Sequence, residues 1–189
     1  MRTVSFFVAS SNEISDIRRN LVIRVAEKNK VLSSIGAQIE IDEWEFESTA
    51  IPASGRSQDD YNKLLAHADL AAVLIKNKVG KYTQEEFVIA LTLFRTHGKP
   101  KICVYALPAD KPEPSLAAFL EELRGGKYGL DYFPAPVKDE NELWIRLNSE
   151  LDRLINAQPA PQPVPLVGGT VIGRQINLNG GGTYNEFNH

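Results

Sequence analysis

The feature that most constrains this chain is the alternation of short apolar runs with amphipathic helical segments along most of its length. Residues 4–9 and 70–75 are almost continuously apolar, as strands are when both faces of their sheet are covered. Between such runs, apolar residues recur every three or four positions, as on helices that pack through one face. The connections are too long for hairpins, so the alternation predicts an α/β domain with a parallel sheet and helices on both faces.

The pattern predicts five strands and five helices. Strands are expected at residues 4–9, 38–42, 70–75, 102–107 and 128–133. The first helix should begin at Ser10, which could form a capping box with Glu13, and should end between residues 33 and 36. The second should begin at Ser57, and Gly98 should end the third. The last three helices are expected at residues 82–96, 116–123 and 140–155.

The composition changes abruptly after Asn156, where prolines recur at every second position from 159 to 165. Such a segment cannot continue a helix and forms an extended, semi-rigid linker. We therefore divide the chain into a domain at 1–157, a linker at 158–169 and a tail at 170–189. The tail carries short strand-like pieces and could be a docking or assembly hairpin, a disordered end, or the start of a further module.

The net charge and the cysteine content limit the kinds of binding partner and the cellular compartment that we expect. The net charge of −3 gives no general electrostatic reason to bind nucleic acid or an anionic membrane. The run at 4–9 is too short to cross a bilayer or to serve as a signal peptide. Cys103 is the only cysteine and lies in an apolar run, so we expect a small core residue, a reducing compartment and a cytoplasmic protein.

Several common sites are missing from the sequence. It contains no phosphate-binding GxxxxGK[ST] loop, no GxGxxG after the first strand, no HExxH and no nucleophile elbow. The histidines, His67, His97 and His189, are scattered, which argues against a histidine metal site or a catalytic triad. We expect His67 and His97 to lie on helix surfaces.

The remaining candidate is the acidic pair Glu85 and Glu86, expected in the first turn of the third helix. In one interpretation both are solvated caps that interact with the helix dipole. However, adjacent residues differ by 100° around a helix, so one can cap while the other faces a cleft. Glu86 lies one turn after Tyr82, which puts a ring and a carboxylate on the same edge. Ligands of such folds bind at the carboxyl ends of the strands, here the loops at 10–12, 42–55, 76–82 and 107–114.

These residues also resemble a known family. The segment KYTQEEFVIAL at 81–91, followed by GKPKI at 98–102, is similar to the third helix and following strand of TIR domains. FFVASS at 6–11 looks like the first TIR box, residues 42–55 occupy the place of the BB loop, and residues 69–75 look like the third strand. The resemblance covers roughly residues 2–157, although Tyr82 stands where the family commonly has tryptophan.

The resemblance implies a flavodoxin-like TIR fold and an NAD glycohydrolase that cleaves the nicotinamide N-glycosidic bond, often after self-assembly. NAD would be the substrate and no cofactor is implied. Glu86 would be catalytic, Tyr82 would stack on the nucleotide, and residues of the long loop would contribute to the site or to subunit contacts. The implied substrate-binding residues are Tyr82, Ser10, Ser11, Asn12, Asp42 and Trp44.

The sequence is compatible with three functions. The first is the NAD-cleaving enzyme, placed by family analogy in immune or antiphage signalling and self-associating through loop 42–55. The second is a non-catalytic TIR scaffold, in which Glu86 is a cap. The third is an enzyme resembling nucleoside deoxyribosyltransferases, in which Glu86 would be the nucleophile.

Overall fold

A computed structural model describes residues 1–42, 63–130 and 132–157. Its sheet has the strand order β2-β1-β3-β4-β5, and every pairing is parallel. This is the order of flavodoxin-like doubly wound folds, so the predicted fold class is confirmed. The strands are β1 Arg2–Ser10, β2 Ala37–Asp42, β3 Leu70–Ile75, β4 Lys101–Ala106 and β5 Ala135–Pro136.

Helices cover both faces of the sheet, as predicted. The longer ones are α1 Ser15–Leu32, α2 Lys81–His97, α3 Pro114–Arg124 and α4 Glu140–Ala157. Residues 63–67 are helical as well, and short 3₁₀ turns lie at Asn12–Ile14 and Ser33–Ile35. Helices α1 and α4 pack on one face, whereas α2, α3 and residues 63–67 pack on the other. None of the helices in the described part of the chain is long and apolar enough to span a membrane.

The strand sequences divide between the two cores because successive side chains point to opposite faces. In β1, Val4, Phe6 and Val8 join the core under α1 and α4, whereas Phe7 and Ala9 join the core under α2 and α3. All six residues of β3 are buried, which explains why its sequence is an unbroken apolar run. The alternation therefore tells which helix each strand residue faces.

Helix α2 follows the predicted bounds closely and ends where predicted. Gly98 has a φ of 73°, in the left-handed region, and its N–H donates to the carbonyl of Phe94. The wide apolar face of its sequence, which includes Val88 and Phe94, predicts burial on most sides, but Val88 is 39% exposed and Phe94 46% exposed. The wide apolar stripe is only partly covered, because α2 lies in an outer layer and packs on the sheet through one face.

Two sequence predictions about element boundaries are wrong. No described residue of the segment 128–133 is in a strand. Tyr128, Leu130 and Tyr132 instead pack against the core under α2 and α3, so their aromatic and apolar character reflects packing rather than sheet pairing. The fifth strand is the two-residue β5, which contains Pro136 and carried no strand signal. Ser10 does not start a helix, because it is the last residue of β1.

Strand β2 is the end strand of the sheet among the described residues, and the centre of its outer edge is occupied by a side chain from α1. The amide of Asn29 donates to the carbonyl of Ile39 at 2.8 Å and accepts from the Ile39 N–H at 2.8 Å. One side chain therefore satisfies both backbone groups of Ile39, as a neighbouring strand would.

The remaining predictions have mixed outcomes. His67 and His97 are exposed on helices, as predicted, and Cys103 is partly buried beside the core under α1 and α4. Burial raises the pKa of its thiol. The helix start at Ser57, Trp44, loop residues 43–55, the linker, the tail and His189 all lie outside the described residues.

Candidate active site at the carboxyl ends of the strands

Three loops meet at the carboxyl edge of the sheet. The register pairs Ser10 of β1 with Leu74 of β3, and Leu74 with Tyr105 of β4. The segments that follow these strands, residues 11–14, 76–80 and 107–113, therefore leave the sheet side by side. They coincide with three of the four loops in which the sequence predicts a pocket.

Glu86 is the candidate catalytic residue, and its side chain is buried, with 7% of the residue exposed. It shares the inner face of α2 with Thr83, Phe87 and Ala90, which are also buried. Burying a carboxylate costs free energy unless polar or charged groups compensate for the lost water. Its place on the covered face is therefore not that of a solvated surface charge.

The helix start corrects one prediction and weakens the interpretation of the pair as caps. Helix α2 begins at Lys81 after the N-cap Gly80, so Glu85 and Glu86 are its fifth and sixth residues. Neither lies in the first turn, where the unpaired N–H groups and the helix dipole favour a carboxylate. The dipole therefore gives no reason for a carboxylate at position 86.

Tyr82 precedes Glu86 by one helical turn, as predicted, but its residue is 59% exposed. Tyr82 therefore faces solvent at the helix start, whereas Glu86 lies on the covered face of the same helix. An exposed aromatic ring one turn from a buried carboxylate is available to stack on a flat ligand ring. The stacking itself stays a prediction.

Ser10 and Ser11 are both buried, and Arg18 holds this loop from the α1 side. The Arg18 guanidinium donates to Ser10 Oγ and, at 3.0 Å, to the carbonyl oxygen of Ser11. Its Nη2 lies 3.5 Å from Asn12 Oδ1. Arg18 is 2% exposed and interrupts the apolar stripe of α1, which is the sequence signal that could have revealed it.

The faces of the sheet separate the predicted substrate-binding residues. Ser10 continues the row of Val8 on the α1 side, which is opposite to the layer that carries Glu86. Asp42 lies on the α2 side, because its neighbour Ile41 packs with α1, and Asp42 Oδ2 accepts a hydrogen bond from Ser5 Oγ at 3.2 Å. Asn12 is exposed in the loop after β1.

Glu13 is tied to the loop after β3 and not to a helix end. Its Oε1 accepts hydrogen bonds from the backbone N–H groups of Asn77 at 3.0 Å and Lys78 at 3.1 Å, and from Ser11 Oγ at 3.1 Å. Partial burial raises the pKa of Glu13, but the hydrogen bonds from Lys78 and Asn77 outweigh it. The pKa therefore lies below its ordinary value of 4.5.

Asn77 extends this connection to the loop after β4. Its Oδ1 accepts from the backbone N–H groups of Asp110 at 2.9 Å and Lys111 at 2.8 Å, and its carbonyl accepts from Glu113 N–H at 2.7 Å. Lys76 adds an ion pair to Asp110 at 3.0 Å. Sequence reasoning missed Asn77 because its partners are more than thirty residues away and leave no local pattern.

No group of His, Cys, Asp and Glu side chains suited to a metal ion occurs within the described ranges. The polar and aromatic groups near this edge are instead the buried Glu86 carboxylate and the exposed Tyr82 ring on the α2 side of the sheet, and the Ser10 hydroxyl on the α1 side. A fixed carboxylate can stabilise positive charge that develops on a sugar.

Comparison with known proteins identifies no family for this chain. No family model matches the sequence, and no curated protein matches it. Among solved structures, the CMP N-glycosidase BcmB of Clostridium botulinum is similar, with 16% identity over 77% of this chain and 98% of that chain, at a TM-score of 0.46. A similarity this low assigns neither a family nor a function, so the fold class rests on the strand order and the helices of this chain.

Proposed function

We propose that this chain is an N-glycosidase of the TIR type that cleaves the nicotinamide–ribose bond of NAD, with Glu86 as its catalytic residue. The observation that carries the proposal is the burial of Glu86 on the inner face of α2, beyond the first turn, at the carboxyl edge of a parallel sheet. Ligands of doubly wound folds bind at this edge. An ionisable side chain there, in a covered position, is a candidate for chemistry.

The chemistry needs one fixed carboxylate and a water molecule. As the bond between C1′ and the nicotinamide nitrogen breaks, its electron pair leaves with nicotinamide, which becomes neutral. Positive charge develops on the ribose, and the Glu86 carboxylate would stabilise it and hold a ribose hydroxyl. The water oxygen then adds to C1′ and a proton is released, which gives ADP-ribose.

The surroundings of Glu86 suit a nucleotide. Tyr82 would stack on a flat ring at the mouth of the site. Lys76, Lys78 and Lys81 lie in the segment at the start of α2, where Asp110 pairs with Lys76 and the Glu13 carboxylate accepts from the Lys78 N–H. A lysine ammonium group from this segment would attract the diphosphate of NAD. The residues that we propose to contact the ribose are Ser11, Asn12, Asp42 and Trp44.

The test compares two neighbouring carboxylates. Glu86→Gln keeps the shape of the side chain and removes its charge, and Glu85→Gln makes the same change one position earlier on the half-exposed side of α2. We expect purified protein, assayed over a range of concentrations, to release nicotinamide from NAD. Glu86→Gln should lower the rate roughly 100-fold or more, whereas Glu85→Gln should stay near the parent rate.

Two other results would point to the alternative functions. Absence of nicotinamide release from the parent protein at every concentration, together with self-association, would favour the non-catalytic scaffold. Cleavage of nucleosides or of CMP but not of NAD, with a covalent glycosyl adduct on Glu86 detected by mass spectrometry, would favour the enzyme that resembles deoxyribosyltransferases.

A further inference from the structure

The exposed residue Glu13 accepts more hydrogen bonds from the protein than an ordinary surface carboxylate does. One of its oxygens accepts three hydrogen bonds, two of them from consecutive backbone N–H groups at residues 77 and 78. This arrangement fixes the direction of the chain as it leaves β3, and residues 76–80 lead directly into the helix that carries Glu86.

Asn77 connects the same point to the next loop. Its side-chain oxygen binds the N–H groups of residues 110 and 111, and its side-chain amide also lowers the pKa of Glu13. Val79 N–H donates to Ser115 Oγ at 3.3 Å, which ties the same segment to the first turn of α3. The loops after β1, β3 and β4 therefore meet at Glu13 and Asn77.

We propose that Glu13 and Asn77 act as a positioning pair, which holds residues 76–80 in the conformation that presents Glu86 to the substrate. Its catalytic consequence rests on the proposed function of Glu86. Glu13 lies on the surface, so its loss should cost little global stability. A small displacement of a catalytic group, in contrast, can lower the rate of a reaction strongly.

The pair allows a swap experiment. Glu13→Gln brings the amide of Gln next to the amide of Asn77, and Asn77→Asp brings two carboxylates together. The double variant, Glu13→Gln with Asn77→Asp, restores one amide and one carboxylate in exchanged positions. Glu27→Gln, which changes an exposed carboxylate on α1, is the matched control.

The first measurement is independent of catalysis. Amide hydrogen exchange should show loss of protection at residues 77, 78, 110 and 111 in each single variant, on the order of tenfold. The double variant should recover most of this protection, because coupled residues give non-additive effects. The control should not change it, and melting temperatures should stay close to that of the parent in all four variants.

The second measurement is nicotinamide release. Each single variant should lower kcat on the order of tenfold or more with KM nearly unchanged, and the double variant should recover to within about threefold of the parent. A double variant no better than the poorer single variant, in exchange and in kcat, would overturn the positioning pair. If the exchange pattern appears but the parent releases no nicotinamide, the pair stands and the proposed function fails. A kcat equal to that of the parent in every variant would overturn the positioning role of Glu13 and Asn77, but it would not affect the proposal that Glu86 is catalytic.

Discussion

Replacing Phe87 by alanine tests how strongly α2 is anchored beside the candidate catalytic residue. Phe87 is 2% exposed, and its ring meets Phe119 at a centroid distance of 5.3 Å and Tyr128 at 5.2 Å, both nearly edge to face. Truncating a buried phenylalanine costs about 3–5 kcal/mol. Loss of two aromatic contacts places the expected cost toward the middle of this range, about 4 kcal/mol.

Phe94→Ala is the matched control, because the same residue type lies on the same helix but is 46% exposed. Full burial of a phenylalanine contributes about 1.5–3 kcal/mol, so truncation of a half-exposed ring should cost about 1 kcal/mol. For a chain of this length, the two changes should lower Tm by roughly 8–16 °C and 2–4 °C respectively.

The assay is urea unfolding followed by circular dichroism, with linear extrapolation of the free energy of unfolding. Since about 4 kcal/mol is a large part of the stability of a typical domain, Phe87→Leu provides a milder variant that should keep a native baseline. If Phe87→Ala were no more destabilising than Phe94→Ala, the inner face of α2 would be wrongly assigned, and with it the burial of Glu86.

Three further outcomes are expected. Gly98→Ala should destabilise the protein by about 1 kcal/mol in urea unfolding. The cost is conformational, because φ is 73° and no residue other than its neighbours along the chain lies within 4 Å of the added Cβ; an unchanged midpoint would contradict this. Burial raises the pKa of the Cys103 thiol, so the folded protein should react with a thiol reagent far more slowly than the urea-unfolded chain at neutral pH; equal rates would show that the thiol is open to solvent. The depressed pKa of Glu13 contributes a small stability above its ordinary value of 4.5 that is lost as the pH falls through the folded value. Glu13→Gln should therefore make the acid-side decline in stability slightly shallower while Tm at neutral pH stays close to that of the parent, and a steeper decline would refute the assignment.

Much of the fold could be predicted from the sequence because burial on both faces leaves a strong local pattern. The bounds of β3 match the apolar run. Gly98 ends α2 because the backbone there adopts a left-handed conformation, which glycine takes most readily. The strand prediction failed at the segment 128–133, because aromatic residues that pack against the edge of a core are of the same types that favour strands. The two-residue β5 has too few residues to leave any periodicity.

The candidate site was only partly predictable, for a physical reason. Glu86 could be singled out because it lies near the start of the most apolar helix, directly after a loop at the carboxyl end of a strand, and one turn after Tyr82. Glu13 was linked to the wrong partner, since a capping box is a local pattern whereas its observed partners at 77 and 78 are 64 and 65 residues away. The Arg18 contacts depend on how α1 rests against the end of β1, which only tertiary structure determines.

The Asn29 contact with Ile39 bears on how copies of this chain could assemble. An open strand edge invites another strand to continue the sheet, and proteins avoid this with short edges, prolines or covering groups. At β2 a side-chain amide already fills the central backbone positions, and at the opposite border β5 is short and ends in a proline. If the protein self-associates, as the resemblance to TIR domains implies, filaments built by strand addition are disfavoured, and subunits should instead meet through helices and loops.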